Sequence, residues 1–251
     1  MAEARVLAVI PARYGSTRFP GKALAVLAGK PMIQWVYEQV KQASLIDEIV
    51  VATDDQRIMD ACSSFGAEAV MTRVDHQTGT DRIAEAIEGK SADLVVNIQG
   101  DEPLISPQVL DQLVEDMLAR PDADMGTAAV PLDLDSEATT NPNVVKAIVA
   151  QNGLALYFTR STAPFARDER PQDAPILQHW GLYAYRPSFL HAFVEWDQSP
   201  LERCESLEQL RALENGAKIY VLITNESAVG VDTPEDAKEV EQLLLAREQQ
   251  A

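Results

Sequence analysis

Between Ile10 and Lys22 the chain reads IPARYGSTRFPGK, with Arg13, Arg18 and Lys22 set among two glycines, two prolines and two hydroxyls. No Asp or Glu occurs from Ala4 to Tyr37, although the whole chain carries a formal charge of -18. Such a segment suits a polyphosphate. Glycines let backbone N–H groups approach phosphate oxygens, while Arg and Lys neutralise them. The same residues also make ordinary exposed turns, so composition alone leaves both readings open. It is not a Walker loop, because Lys22 is followed by Ala23 where that motif needs Ser or Thr.

Two further segments carry carboxylates. Gln99-Gly100-Asp101-Glu102-Pro103 follows the apolar run VVNI, and Gly230-Val231-Asp232 precedes a helix-like stretch. Asp101 and Asp232 are suitable ligands for Mg²⁺, which takes one or two carboxylates together with phosphate oxygens and waters. Each is also what a turn or a helix cap would hold. His76-Gln77-Thr78-Gly79-Thr80-Asp81-Arg82, with Arg73 just upstream, sets hydroxyls and a glycine at a helix start. That is a second anion or nucleotide contact, or simply a capped helix. Asp122-Ala123-Asp124 matches a D-x-D metal pattern, but it lies between a helix and a strand start, the wrong end for a site.

The elements that must position these residues alternate through the first half. Strands are expected at Val6–Ile10, Glu48–Thr53, Glu68–Thr72 and Leu94–Gln99. Between and after them come helices at Met32–Val40, Arg57–Phe65 closed by Gly66, Thr80–Ile87 with Thr80 as N-cap, and one opened by Ser106-Pro107. This rhythm predicts an α/β fold: a mostly parallel, Rossmann-like sheet with helices on both faces. Ligands of such sheets bind beyond the carboxyl ends of the strands, where the three marked segments fall.

The second half is irregular. Met125–Val130, Val144–Val149, Leu177–Tyr185 and Ile219–Ile223 read as strands, with a long loop over 160–177. Helices are expected at Ser188–Val194 and Ser206–Glu214, the latter with Ser206 and Gln209 as a capping box, and after Thr233-Pro234. No linker or repeat interrupts the chain, so one domain over 1–251 is expected, its second half elaborated over roughly 125–225.

Bulk composition narrows the class. With 39 acidic against 21 basic residues, nucleic-acid and anionic-membrane binding are not expected as the main activity. Cys62 and Cys204 are the two cysteines and set no metal or disulfide framework. No apolar run approaches the ~18 residues of a membrane span, and no cleavage pattern precedes Val6. A soluble, cytoplasmic protein is expected.

Taken in order, IPARYGSTRFPGK, ATDD, HQTGTDR, NIQGDEPLI, NPNVVK, HWGLYAYR, SLEQLR with ENG, and GVDTPED resemble the 3-deoxy-D-manno-octulosonate (Kdo) cytidylyltransferases from Ile10 to Asp236. The resemblance implies a nucleotidyltransferase fold and a homodimer. It implies transfer of CMP from CTP to the anomeric hydroxyl of Kdo, with pyrophosphate released and Mg²⁺ as cofactor, in lipopolysaccharide synthesis. It also implies roles. Pro11, Ala12 and Arg13 line the nucleotide site, and Arg18 and Lys22 hold the triphosphate. Arg73, Thr78, Gly79 and Arg82 complete the pocket. Gln99 and Asp101 sit at the reacting centre, and Asp101 and Asp232 bind the metal. Arg160, His179, Tyr183 and Glu208, with Gln99, make the sugar site, the elaborated half serving sugar and dimer.

Alternatives remain at this level. His179 and Tyr183 stand four apart on one strand, and so would share a face packed in a core. A related enzyme acting on 8-amino-Kdo or sialic acid would share most of the motifs. Glu102 in the GDEP segment inclines the reading to ordinary Kdo. A non-catalytic nucleotide-binding module would be indicated by loss of Lys22, Asp101 or Asp232, and all three are present.

Overall fold

The seven residues of the first strand, VLAVIPA, are apolar throughout because the strand has no face left to water; six of the seven are buried. The computed structural model describes residues 4–15, 19–171, 173–226 and 229–248. In chain order the elements begin β1 (Val6–Ala12), β2 (Val26–Leu27), β3 (Lys30–Pro31), α1 (Met32–Val40), β4 (Glu48–Thr53), α2 (Gln56–Ser64), β5 (Glu68–Met71), α3 (Gly79–Ala86), β6 (Leu94–Asn97) and α4 (Pro107–Ala119). They continue β7 (Met125–Pro131), β8 (Lys146–Val149), β9 (Ala155–Thr159), β10 (Leu177–Tyr185), α5 (Pro187–Val194), α6 (Pro200–Glu205), α7 (Gln209–Glu214), β11 (Ile219–Ile223) and α8 (Pro234–Glu248). Short 3₁₀ turns occupy Lys22–Leu24 and Glu137–Thr139. The chain divides into two compact units, Met1–Val114 with Ala228–Ala251, and Glu115–Ser227.

In the first unit β1 lies between β4 and β6, and β4 pairs with β5, all three pairings parallel, while β2 and β3 form a separate antiparallel pair. The crossovers are helices whose caps are local. Asp55 accepts from the Arg57 N–H at 2.9 Å to start α2, and Gly66 at φ 77° turns the chain after it. The expected Thr80 cap is corrected to Thr78. Its hydroxyl accepts from Asp81 N–H at 3.1 Å, and Asp81 accepts from Thr78 N–H at 3.0 Å, so a full capping box forms two residues earlier. Helix α8 is opened by the same device between Thr233 and Asp236. It packs Ala237, Val240 and Leu244 on Met32 and Trp35 of α1, with Val231 in the same cluster.

In the second unit β7 is flanked by antiparallel β10 and parallel β11; β8 pairs antiparallel with both β10 and β9. Strand β9 was not expected from the sequence. The expected Ser206–Glu214 helix is also corrected. Ser206 sits in the left-handed region at φ 51° and ends α6, and α7 starts only at Gln209. The true box is Ser199-Pro200-Leu201-Glu202, with Ser199 N–H donating to the Glu202 carboxylate at 3.1 Å. Ser-x-x-Gln and Ser-x-x-Glu both satisfy the pattern, and the Pro at N1 marks the one that forms.

Candidate functional site

The carboxyl ends of β1 and β6 open on a cavity of about 310 Å³ within the first unit. Pro11, Ala12 and Arg13 reach it from the end of β1, and Lys22 from the turn that follows. Thr78, Gly79 and Arg82 come from the start of α3, and Gln99 and Asp101 from the segment after β6. Asp232, just ahead of α8, completes the set. Arg18 lies outside the described residues. Arg73 is not in the cavity wall; its side chain is 69 % exposed, with Nε 3.4 Å from Asp75.

Four lining residues had not been given site roles from sequence: Ala23, His76, Gln77 and Gly100. His76 and Gln77 belong to a segment already marked as a nucleotide contact, so the signal was there. The His76 ring is held by the Glu85 carboxylate, which also accepts from the Arg73 N–H at 3.1 Å.

Lys22 is placed by backbone that favours glycine. Gly21 lies at φ 72°, and a Cβ there would meet the Tyr14 ring at 3.2 Å. The Lys22 ammonium bonds Asp101 Oδ2 and donates to the Val231 carbonyl at 2.9 Å, and it stands 3.6 Å from Asp232 Oδ1. A backbone bond from Val231 N–H to the Asp101 carbonyl, 2.9 Å, ties the two acidic segments together. Residues remote in sequence thus converge on one cation. Arg82 is scaffold as well as wall. It is 4 % exposed, with Nη2 on Asp54 at 2.7 Å and Nη1 on the Thr72 hydroxyl.

Gly100 owes its identity to space. A Cβ there would lie 2.9 Å from the Pro11 carbonyl oxygen, whereas one on Gly79 would touch the Pro11 ring at an ordinary 3.8 Å. Gly100→Ala is therefore expected to push the Gln99–Asp101 segment off β1, lowering the melting temperature and weakening nucleotide binding. Gly79→Ala should melt like the wild type, and thermal denaturation of the pair checks this. Equal melting of both variants would contradict the close approach.

His179, Tyr183, Arg160 and Glu208 belong to the second unit. Between Trp180 and Tyr183 strand β10 carries two extra residues against β7, since their partners Ala128 and Thr127 are adjacent. The bulge turns a spacing of four into neighbours on one face, and the His179 and Tyr183 ring centroids are 5.5 Å apart. The Thr127 hydroxyl plugs it, within 3.0 Å of His179 Nε2 and the Trp180 carbonyl and 2.8 Å of the Leu182 carbonyl. With two carbonyls to serve, the hydroxyl gives its proton to them and accepts one from Nε2, which assigns the His179 tautomer.

Both rings keep partial exposure by area, yet their titrating atoms lie deep. Burial pulls His179 down to about 3 and pushes the Tyr183 phenol well above its ordinary value, with Tyr185 and Glu208 adding to the latter. Arg160 donates from Nε to the Glu205 carbonyl at 2.6 Å, from Nη1 to Pro142 at 3.0 Å and from Nη2 to Ser206 at 3.3 Å. Three of its five donors thus hold backbone, and the guanidinium is fixed in place. Glu208 Oε1 lies 3.6 Å from Arg211 Nη2.

A neutral buried His has a stability consequence. Its folded pKa lies below the ordinary 6.5, at about 3. Above 6.5 neither state binds the proton; as pH falls the unfolded chain takes it up and the folded chain does not, so stability is lost down to about 3. Between pH 7.5 and 5 the wild type should lose about 2 kcal/mol more than His179→Gln. Urea midpoints of both proteins at the two pH values test it; parallel losses would contradict a buried neutral ring.

Among the described residues, no group of three or more His, Cys, Asp or Glu side chains forms a metal cage. The acidic donors at the cavity are the Asp101 and Asp232 carboxylates, a set that fits a hard divalent cation completed by phosphate oxygens and water. Among the described residues no helix is long and apolar enough to cross a membrane.

Comparison with known proteins adds independent findings. Residues 7–219 match a family described as Cytidylyltransferase. A 3-deoxy-manno-octulosonate cytidylyltransferase of Pseudomonas fluorescens is 53% identical over 249 residues, 95% of this chain and 97% of that protein. One of Trichlorobacter lovleyi is 50% identical over 250 residues, covering 96% and 98%. A solved CMP:2-keto-3-deoxy-manno-octonic acid synthetase complexed with CTP superposes with a TM-score of 0.92 at 40% identity, covering 97% of this chain and 100% of that one. A cytidylyltransferase from Leptospira borgpetersenii, at 17% identity and TM-score 0.66, shares the fold.

Proposed function

Because this chain belongs to the cytidylyltransferase family, and within it to the 3-deoxy-manno-octulosonate cytidylyltransferases, we propose a division of its residues between nucleotide, metal and sugar. The reaction is transfer of CMP from CTP to Kdo, giving CMP-Kdo and pyrophosphate for lipopolysaccharide synthesis. The anomeric hydroxyl attacks the α-phosphorus, and pyrophosphate leaves in line. The protein's part is positioning and charge stabilisation.

The observation that carries the assignment is the convergence of Lys22, Asp101 and Asp232 in one cavity at the strand ends. Arg13 and Lys22, together with Arg18, hold the triphosphate. Thr78, Gly79 and the start of α3 border the nucleotide, with His76 and Gln77 beside them. Asp101 and Asp232 hold Mg²⁺. When bound, the metal spreads phosphoryl charge and acidifies the attacking hydroxyl. Arg160 meets the Kdo carboxylate, and His179, Tyr183 and Glu208 its hydroxyls. His179 offers an uncharged ring with one nitrogen committed to Thr127. We further propose a cytoplasmic homodimer, the compartment following from the use of CTP.

A pyrophosphate-release screen tests the reading, crossing CTP, UTP, ATP and GTP with Kdo, 8-amino-Kdo and sialic acid. CTP with Kdo should be turned over fastest; preference for another sugar would reassign the acceptor. Arg160→Ala should raise the Kdo KM or collapse kcat, while CTP still raises the melting temperature through binding the native state. Unaltered Kdo saturation in that variant would move the sugar site elsewhere.

A further inference from the structure

The Lys22 ammonium has three N–H groups, and three oxygens surround it: Asp101 Oδ2, the Val231 carbonyl at 2.9 Å and Asp232 Oδ1 at 3.6 Å. Its side chain is only 16% exposed. Two of the N–H groups are held by Asp101 and Val231, and the third faces Asp232 at ion-pair distance, so the ammonium is turned toward the carboxylates. The carboxylates, for their part, already face a cation, and a dication brought to them would meet an ammonium at close range. A metal on the aspartates and the ammonium seen there therefore compete for the same two carboxylates.

We infer that Lys22 is a displaceable occupant of the carboxylate site, which must leave Asp101 and Asp232 for the nucleotide before a divalent cation can take its place. The inference rests on the reading of those aspartates as the metal carboxylates. It makes Lys22 a positioning residue for metal entry as well as a phosphate ligand. Without nucleotide, one carboxylate charge in excess over the ammonium attracts a dication weakly. With a triphosphate present, the ammonium finds new oxygens, and both carboxylates become available together. Metal and nucleotide are thus coupled through one side chain, and an idle enzyme holds little metal.

The test needs no turnover. Mn²⁺, followed by loss of its free electron-spin-resonance signal, is titrated into nucleotide-free wild-type protein, Lys22→Met, Lys22→Gln and Lys22→Arg. Both neutral variants should bind one Mn²⁺ at least about tenfold more tightly than the wild type, a size ordinary for coupled sites. Lys22→Arg should stay near the wild-type value, because its charge is kept. No gain in the neutral variants, or an equal gain in Lys22→Arg, overturns the inference. Having both Met and Gln guards against one variant failing to fold. Adding Asp101→Asn to Lys22→Gln must abolish the gain. If tight binding survives there, the metal reading of Asp101 has failed instead.

Discussion

Asp101→Asn should lower the turnover of CMP-Kdo formation by at least roughly a hundredfold, the cost of losing a principal electrostatic group at a reacting centre. The substitution keeps the shape of the side chain and removes its charge. Its melting temperature should change little, since Asp101 is 31% exposed and the link to Val231 runs through its main-chain carbonyl. Asp232→Asn should behave in the same direction. Pyrophosphate release at graded Mg²⁺, with melting curves on the same samples, gives both readouts. Near-normal rates in limiting Mg²⁺ would remove both aspartates from the chemistry.

The largest stability effect is expected far from that chemistry, at Glu202 and Arg211. Arg211 donates from Nε at 2.9 Å and Nη2 at 2.7 Å to the two carboxylate oxygens, and both side chains are about 5% exposed. Arg211 also donates to the Trp196 carbonyl at 3.0 Å, and Glu202 closes the Ser199 cap. Glu202→Gln removes the two-pronged counter-charge and leaves the buried guanidinium only the more distant Glu208, 3.6 Å away, a loss expected to approach the roughly 3–5 kcal/mol typical of breaking a buried pair. The double variant Glu202→Gln/Arg211→Met should recover part of that loss, because no guanidinium is then buried, and Glu208, which loses its more distant ion pair, is partly exposed. Urea denaturation of the two single variants and the double variant measures the coupling. Additive losses would mean that the pair acts as two independent hydrogen-bonding groups.

Legibility from sequence followed the range of the forces involved. Met32–Val40 and Glu48–Thr53 fall on their expected bounds because their apolar spacing is a local record of burial. Caps proved harder. Several hydroxyls compete within a few residues, and Thr78 prevails over Thr80 because Asp81 stands three residues after it and returns the bond. At Ser206 the pattern matched a box, yet the residue closes a helix in a left-handed conformation. Strand β9 escaped notice because its two buried residues, Phe158 and Thr159, are adjacent, so its apolar pattern shows no regular alternation.

The candidate sites show the same division. Residue types at strand ends pointed to phosphate chemistry, and most of the nucleotide set named from sequence lines one cavity. Arg73 departs from it, since nothing in a one-dimensional motif tells which way an exposed arginine leaves its loop. The engagement of Lys22 with both aspartates was equally hidden, being a contact between segments remote in the chain. For His179 and Tyr183 the two sequence readings are not opposed: the rings do share a partly buried face, and the same enclosure fixes the uncharged imidazole proposed for sugar recognition.

The two extra residues in β10 also constrain how this segment can change length. Deleting either Gly181 or Leu182 alone would reverse the facing of everything from Tyr183 onward relative to His179, because strand side chains alternate. Deleting both would restore the facing but leave the Thr127 hydroxyl no carbonyl loop to fill. Single-residue gaps here should therefore be rejected by selection while point changes are tolerated. A mutant library aimed at new acceptor sugars would accordingly do best with the spacing from His179 to Tyr183 held constant and only the side chains varied.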